Sequence, residues 1–278
     1  MSRVALCTDS SALFPEGGAE ALDVVRVPVG IAIDGEAYEP ADVDDFYARV
    51  SRGAEATTSQ PSPGEFLDAY RALAESGVDE VLSIHLDARV SGTVASAQLA
   101  AREVDISITV VDSGTVSFGV GVCVQAAAAA LARGLSAPAA AAAARRLGSR
   151  LGNLFVAADA PAGRVGGGRE SAWTVLQLVD GVTVPVLRCD GAGGATETMA
   201  AKVLDLAGPV QLAVGHASRA VEPWADALAE LVAGGERVVG VERYRVSAAV
   251  GAHTGPLSFG AFWWPAEQQP APDSRHSN

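Results

Sequence analysis

The sequence predicts an α/β protein whose first half forms a mostly parallel sheet with helices on its faces. Three observations carry that expectation. Short β-rich apolar runs alternate with helical segments, several of those helices are alanine-rich, and Thr8-Asp9-Ser10, residues 85–93 and Asp112-Ser113 all fall at strand exits. Ligands of such sheets bind beyond the carboxyl ends of the strands, so the third observation also places a site.

Residues 3–7 read as the first strand, and 24–33 as a strand or hairpin arm that ends at Asp34-Gly35. Residues 63–76 read as a helix, because Ser62 caps it, Pro63 suits its first position and Glu65 completes a capping box. Thr58-Ser59-Gln60 then lies beside a helix amino terminus, where free amides and the dipole favour a carboxylate or phosphate. A strand at 80–85, a helix at 92–103 and a strand at 106–111 follow. At Ser91-Gly92-Thr93 the glycine admits close backbone approach while Ser91 and Thr93 add hydroxyls. Alanine-rich helices are expected at 117–133 and 137–151.

The second half is built differently, with strands expected at 154–157, 183–187, 211–214, 237–241 and 258–263. Helices are expected at 172–179, 196–206 and 222–231, and the glycine-rich stretch 162–168 makes a junction. The boundary is placed near residue 155, dividing the chain into domains 1–155 and 156–265, with a polar, proline-rich and disordered tail at 266–278.

The net charge of −13 argues against nucleic acid and against docking on an anionic membrane. Lys202 is the sole lysine, so no Gly-x-x-x-x-Gly-Lys phosphate loop exists. Cys7, Cys123 and Cys189 are scattered, which fits buried thiols in a reducing compartment, and no His or Cys pair has metal-ligand spacing. Residues 4–7 are too short for a signal-peptide core and the run 118–131 is too short for a membrane span, so a cytoplasmic protein is expected.

In Val250-Gly251-Ala252-His253-Thr254-Gly255-Pro256 a glycine- and proline-punctuated turn holds an imidazole beside a hydroxyl. His253 there suits anion binding or acid–base work. A hydrolase with Ser91 or Ser10 as nucleophile and Asp9 or Asp112 as orienter is an open alternative, although no Gly-x-Ser-x-Gly elbow occurs. His85 and His216 read as satisfied core or strand-end residues, and Arg164 and Arg169 as loop cations able to reach a phosphate or an acidic partner.

Taken in order, Thr8-Asp9-Ser10-Ser11, Thr58-Ser59-Gln60-Pro61-Ser62, Ser91-Gly92-Thr93, Val111-Asp112-Ser113 and Gly251-Ala252-His253-Thr254-Gly255-Pro256 resemble the DegV family. Its members include the fatty-acid-binding subunit of bacterial fatty acid kinase, and the resemblance runs from about residue 3 to residue 264. It implies two α/β domains, the second with a mixed or antiparallel sheet, and a long-chain fatty acid between them. The carboxylate would meet Thr58, Ser59, Ser91, Gly92, Thr93, His253 and Thr254, with Asp9 and Ser10 close to the same head group. Burial of methylenes at about 0.8 kcal/mol each would supply on the order of 10 kcal/mol before costs. The resemblance further implies a monomeric binding subunit without a cofactor or catalytic residue of its own. It would present the carboxylate to a separate ATP-dependent kinase that makes the acyl phosphate. Arg164 aligns with the arginine of the family's Gly-Gly-Arg-Ile loop, associated with the kinase, although here the loop reads Ala162-Gly163-Arg164-Val165. Leu257 stands where the family commonly has a glycine after Gly-Pro.

Overall fold

In the computed structural model, residues 3–15, 17–39, 42–157 and 173–266 are described. The chain opens with β1 (Val4–Asp9), the short α1 (Gly18–Ala21) and β2 (Val25–Val27). Pro28 supplies no amide to a ladder, and the run 24–33, expected as one arm, divides there. Beyond it lie β3 (Gly30–Ile33), β4 (Glu36–Ala37), α2 (Val43–Ser51) and β5 (Ala56–Ser59). The half continues with α3 (Pro63–Glu75), β6 (Glu80–His85), α4 (Thr93–Ala100), β7 (Ser107–Asp112), α5 (Phe118–Ala132) and α6 (Ala137–Gly148).

β2, β1, β6 and β7 form a four-stranded sheet in that order, parallel throughout. The right-handed crossovers of such sheets need helices, and α3 to α6 supply its two covering layers. On one side Ala127, Ala130, Ala140, Ala141 and Ala144 are all buried, so the alanine-rich α5 and α6 lie close to each other and to the strands. On the other, Phe66, Tyr70 and Ala97 fill the space between α3, α4 and the sheet. A separate antiparallel sheet of order β4-β3-β5 stands beside it.

The second half comprises β8 (Gly152–Val156), β9 (Trp173–Val179), β10 (Val182–Cys189), α7 (Gly191–Leu204) and β11 (Val210–His216). It closes with α8 (Glu222–Ala233), β12 (Val238–Arg245), α9 (Ala248–Thr254) and β13 (Phe259–Pro265). Its six-stranded sheet runs β10-β9-β8-β13-β11-β12, antiparallel except for the parallel pair β11 and β12. The mixed sheet agrees with the expected fold class. β8 begins at Gly152, on the near side of the expected boundary, and pairs wholly within this sheet.

Residues 173–179, expected as part of a helix, are a strand. A mostly apolar run of seven residues is too short to show a helical period, and Trp173, Thr174, Val175 and Val179 favour the pleated conformation. The Asp180-Gly181 turn, with φ of 50° and 78°, then folds it into a hairpin with β10. Five elements were not expected: the short α1 and β4; α2, capped by Asp42; β5, paired to β3; and α9.

A core cluster joins the halves, with Leu13, Phe46, Tyr47 and Phe118 on one side and Ala213, Tyr244 and Phe262 on the other. The Tyr47 hydroxyl donates to the Val246 carbonyl at 3.0 Å. Asp44 accepts from both Arg219 at 2.7 Å and Arg245 at 2.5 Å. The expected tail from 267 onward lies outside the described residues.

Candidate functional site

Strands β1, β6 and β7 end on one side of the parallel sheet, and their last residues divide between structure and surface. Asp9 and His85, at the ends of β1 and β6, are both 0% exposed. The Tyr70 hydroxyl donates to Ser83 Oγ at 2.8 Å, Ser83 meets His85 Nε2 at 2.7 Å, and His85 Nδ1 meets Asp9 Oδ2 at 2.9 Å. Ser11 completes the chain by donating its amide at 3.0 Å, and its hydroxyl, to Asp9 Oδ1. Burial by itself raises the Asp9 pKa, but the hydrogen bonds from His85 and Ser11 override it and hold the carboxyl below its ordinary value. Asp9, expected close to a ligand head group, thus has its carboxylate turned inward and fully partnered. Ser10 is half-buried, and its hydroxyl accepts the Val29 amide at 2.8 Å.

The Ser83-His85-Asp9 chain has the order of a hydrolytic triad, yet Ser83 is also 0% exposed, so a substrate has no route to it. The alternative triads built on His253 do not assemble. Asp112 accepts the Gly114 amide at 2.9 Å and the Ala88 amide at 3.3 Å, and the hydrogen bond of the His253 ring goes to Thr58.

Three of the expected segments do meet. His253 lies in the last turn of α9, a helix rather than the glycine- and proline-punctuated turn expected, and Gly255 ends it with φ of 78°. Its Nε2 stands 2.7 Å from Thr58 Oγ1 on β5. Ser59, next on β5, is exposed and pairs with Gly30, where any side chain would collide with the Ser59 hydroxyl. Gln60 then reaches the start of α4, its amide nitrogen 3.2 Å from Ser96 Oγ. The Gln60 amide packs where a side chain at Gly92 would stand, so any larger residue there would displace it. Ser91 and Thr93 flank Gly92 with their hydroxyls 2.9 Å apart, Ser91 half-buried and Thr93 buried.

The two helix starts differ. At α3 the Ser62 hydroxyl accepts the Glu65 amide at 3.2 Å and Glu65 returns to the Ser62 amide at 2.7 Å. The capping box thus sets a carboxylate of this chain at that helix start, beyond the Thr58-Ser59-Gln60 segment. At α4 the cap is Gly92, which has no side chain; Ser91 Oγ accepts the Thr93 amide at 3.3 Å, and the first turn holds no acidic residue. The loop bearing Ser91 is anchored by Arg89, which binds Asp87 at 2.7 Å and reaches Asp180, in the β9–β10 turn, at 2.8 Å. The Arg89 guanidinium lowers the Asp87 pKa.

His253 is solvent-accessible, but partial burial of its ring lowers its pKa and favours the neutral imidazole. A neutral ring can hold the Thr58 hydroxyl with one nitrogen and keep the other for a second partner.

Directly behind His253, Thr254 borders an apolar cavity of about 70 Å³ between the halves, walled by Leu154, Phe155, Val246, Val250 and Phe262 among others. Ligand pockets usually exceed about 300 Å³, so a long acyl chain requires these side chains to move apart. Thr254 Oγ1 is satisfied by Ser258 at 2.9 Å, and Asn153 by Leu178 at 2.8 and 3.1 Å. Ser117, also on the wall, adopts φ 56° and ψ −128°, a conformation that costs a non-glycine residue on the order of 1–3 kcal/mol.

Gln60, Ser117, Tyr244 and Ser258 were not among the expected site residues. Gln60 sat inside a recognised motif; Ser117 and Ser258 lie at the start of a helix and a strand read from the sequence, Tyr244 lies just beyond the strand read at 237–241, and nothing there distinguishes a cavity wall. Arg164 and the rest of 162–169 lie outside the described residues. Among the described residues no cluster of His, Cys, Asp or Glu is placed to hold a metal, and no helix is long and apolar enough to cross a membrane.

Residues 3–266 match a family model described as "Uncharacterised protein, DegV family". A DegV domain-containing protein of Streptomyces coelicolor is 33% identical over 275 residues, covering 92% of this chain and 96% of that protein. Among solved structures, a Thermus thermophilus DegV family protein described for fatty acid binding is 30% identical with a TM-score of 0.83, covering 95% of this chain and all of that one. The Bacillus subtilis DegV structure, described as a fatty acid binding protein, is 26% identical with a TM-score of 0.80, at 96% and 100% coverage.

Proposed function

The chain belongs to the DegV family, and on that premise we propose that it binds a long-chain fatty acid between its two domains. The carboxylate is received by Thr58, Ser59, Ser91, Gly92, Thr93 and His253, and the acyl chain passes Thr254 into the apolar cavity. The observation that carries this reading is the 2.7 Å contact between His253 of the second half and Thr58 of the first. It closes a polar mouth directly against a hydrocarbon-lined space. Hydroxyls, a helix start and a neutral imidazole suit a carboxylate, while the cavity suits methylenes, and few small molecules combine the two. The Thermus and Bacillus relatives described as fatty-acid-binding support the same class of ligand.

The protein then acts without chemistry of its own. As a monomer in the cytoplasm it presents the carboxylate to a separate ATP-dependent kinase, which forms the acyl phosphate, and Arg164 serves that encounter. The mouth is consistent with this role because His253 stays accessible at the surface while apolar residues line the cavity beyond Thr254.

Organic extraction of the purified protein followed by mass spectrometry tests the first part. One fatty acid per chain is expected; an empty extract, together with no uptake of added fatty acid, refutes it. For the second part, Arg164→Ala should abolish acyl-phosphate formation by the kinase while fatty-acid affinity stays within twofold. Undiminished phosphorylation would remove Arg164 from the role, and no phosphorylation of the native complex would leave a carrier rather than a kinase subunit.

A further inference from the structure

The cavity wall carries two hydroxyls that a plain hydrocarbon chain would leave without partners. Ser117 is 6% exposed and Tyr244 is 8% exposed, and both line the cavity. Neither side-chain oxygen makes a hydrogen bond among the described residues. The other polar groups on this wall are satisfied, Thr254 by Ser258 and Asn153 by Leu178. A buried tyrosine normally finds a partner for its hydroxyl, and an unpaired one facing only methylenes is destabilising. The pair belongs to one patch: Phe118, which follows Ser117, packs its ring 4.5 Å from that of Tyr244.

Ser117 adds a second argument. Its φ of 56° with ψ of −128° is a conformation that glycine adopts freely and serine does not. A serine there opposes the backbone, so its side chain must return something that glycine lacks. It does not return a helix cap, because its hydroxyl makes no bond to the first turn of α5. The positive end of this 15-residue helix adds to the attraction for an electronegative atom at the same place.

We propose that the acyl chain this cavity recognises carries an oxygen of its own: the ligand class is a long-chain hydroxy fatty acid, its chain hydroxyl received by Ser117 and Tyr244. This rests on the fatty-acid reading above and names the substrate more closely. Both wall hydroxyls donate and accept, so either can pair with a chain hydroxyl without giving up another bond. Unsubstituted chains still enter by hydrophobic burial but leave both wall groups unpaired.

The test is a calorimetric comparison of stearate with a series of stearates hydroxylated at successive carbons, on the full chain. At least one positional isomer should bind about 3- to 10-fold tighter than stearate for each hydrogen bond gained. In Tyr244→Phe and Ser117→Ala that ratio should fall several-fold, and in the double variant to about one. A purely structural role for the two residues would weaken all ligands together and leave the ratio as it was, which overturns the proposal. Ser117→Gly guards against misfolding, since it relieves the backbone while removing the hydroxyl, and it should lower the ratio as Ser117→Ala does. Normal stearate binding with no isomer preferred would refute the hydroxyl site and spare the fatty-acid reading. Failure of stearate and every isomer to bind would refute both.

Discussion

Removing the His253 ring separates a carboxylate site from a merely hydrophobic one. In the unliganded protein His253→Ala deletes one hydrogen bond, of 2.7 Å to Thr58, on an accessible side chain. A neutral bond in that setting contributes about 0.5 kcal/mol, the low end of its range, so the melting temperature should barely move. A bound carboxylate changes the magnitude. Hydrogen bonds to a charged group are worth about 1.5–3 kcal/mol, which corresponds to a loss of about 10- to 150-fold in affinity. Thr58→Val, nearly isosteric, removes the hydroxyl that orients the ring and should reproduce part of this loss. Because the two side chains touch, the double variant should lose less than the product of the single effects. The assay is displacement of a fluorescent fatty acid by palmitate and by methyl palmitate. The ester has the same chain without the charge, so its affinity should fall no more than about threefold. Equal weakening of acid and ester in His253→Ala would refute a carboxylate contact at this residue, and strictly multiplicative losses would refute the coupling through Thr58.

Four further outcomes are expected. His85→Ala leaves the Asp9 carboxylate buried without its ring partner and should destabilise the chain by about 3–5 kcal/mol in urea unfolding. Gly121→Ala sets a Cβ against the backbone carbonyl of Leu13 and should cost at least about 1–3 kcal/mol, read as a lower urea midpoint with unchanged slope. Asp44→Ala unties Arg219 and Arg245 from the first half, an effect of about 1 kcal/mol that should shrink in high salt. The Arg245 hydrogen bond holds the Asp44 pKa below its ordinary 3.8, so this contribution is complete above that value and fades as pH falls through the folded pKa. Burial lowers the pKa of both His216 and His253 from 6.5; the unfolded chain therefore binds more protons near that value, and stability should hold above it and decline as pH falls below it. Melting curves on unliganded protein check the sign, and the decline should be weaker with fatty acid bound, because a carboxylate beside His253 favours its protonated form.

Much of the fold was legible because its first half repeats a local pattern. β1, β6 and β7 are apolar runs ended by polar residues, and α3 announces its own start through Ser62, Pro63 and Glu65. β9 reads as a helix in sequence because five apolar residues among seven satisfy either period, and only pairing with β8 and β10 selects the strand. α9 was read as a turn because Gly251 and Gly255 punctuate it; Gly251 in fact lies inside the helix, where its missing side chain makes room for Tyr47 of α2. Asp9 and His85 each looked ordinary, one a possible ligand contact and the other a strand-end histidine. Their pairing joins residues 76 positions apart, a separation that no local pattern encodes.

The sequence by itself determined the α/β class, the lack of a phosphate-binding loop, and the hydroxyl-rich segments with His253 as the residues to watch, since each depends on short-range spacing and chemistry. Tertiary structure decided which of them meet. Strand pairing set Thr58 against His253, burial turned Asp9 inward, the α3 start received the Glu65 carboxylate while the α4 start received only the Ser91 hydroxyl, and the junction of the halves left a cavity where the same apolar residues would elsewhere pack solid. The physical reason is that side-chain type records the preference for leaving water, whereas the partner found there depends on contacts made across the whole chain.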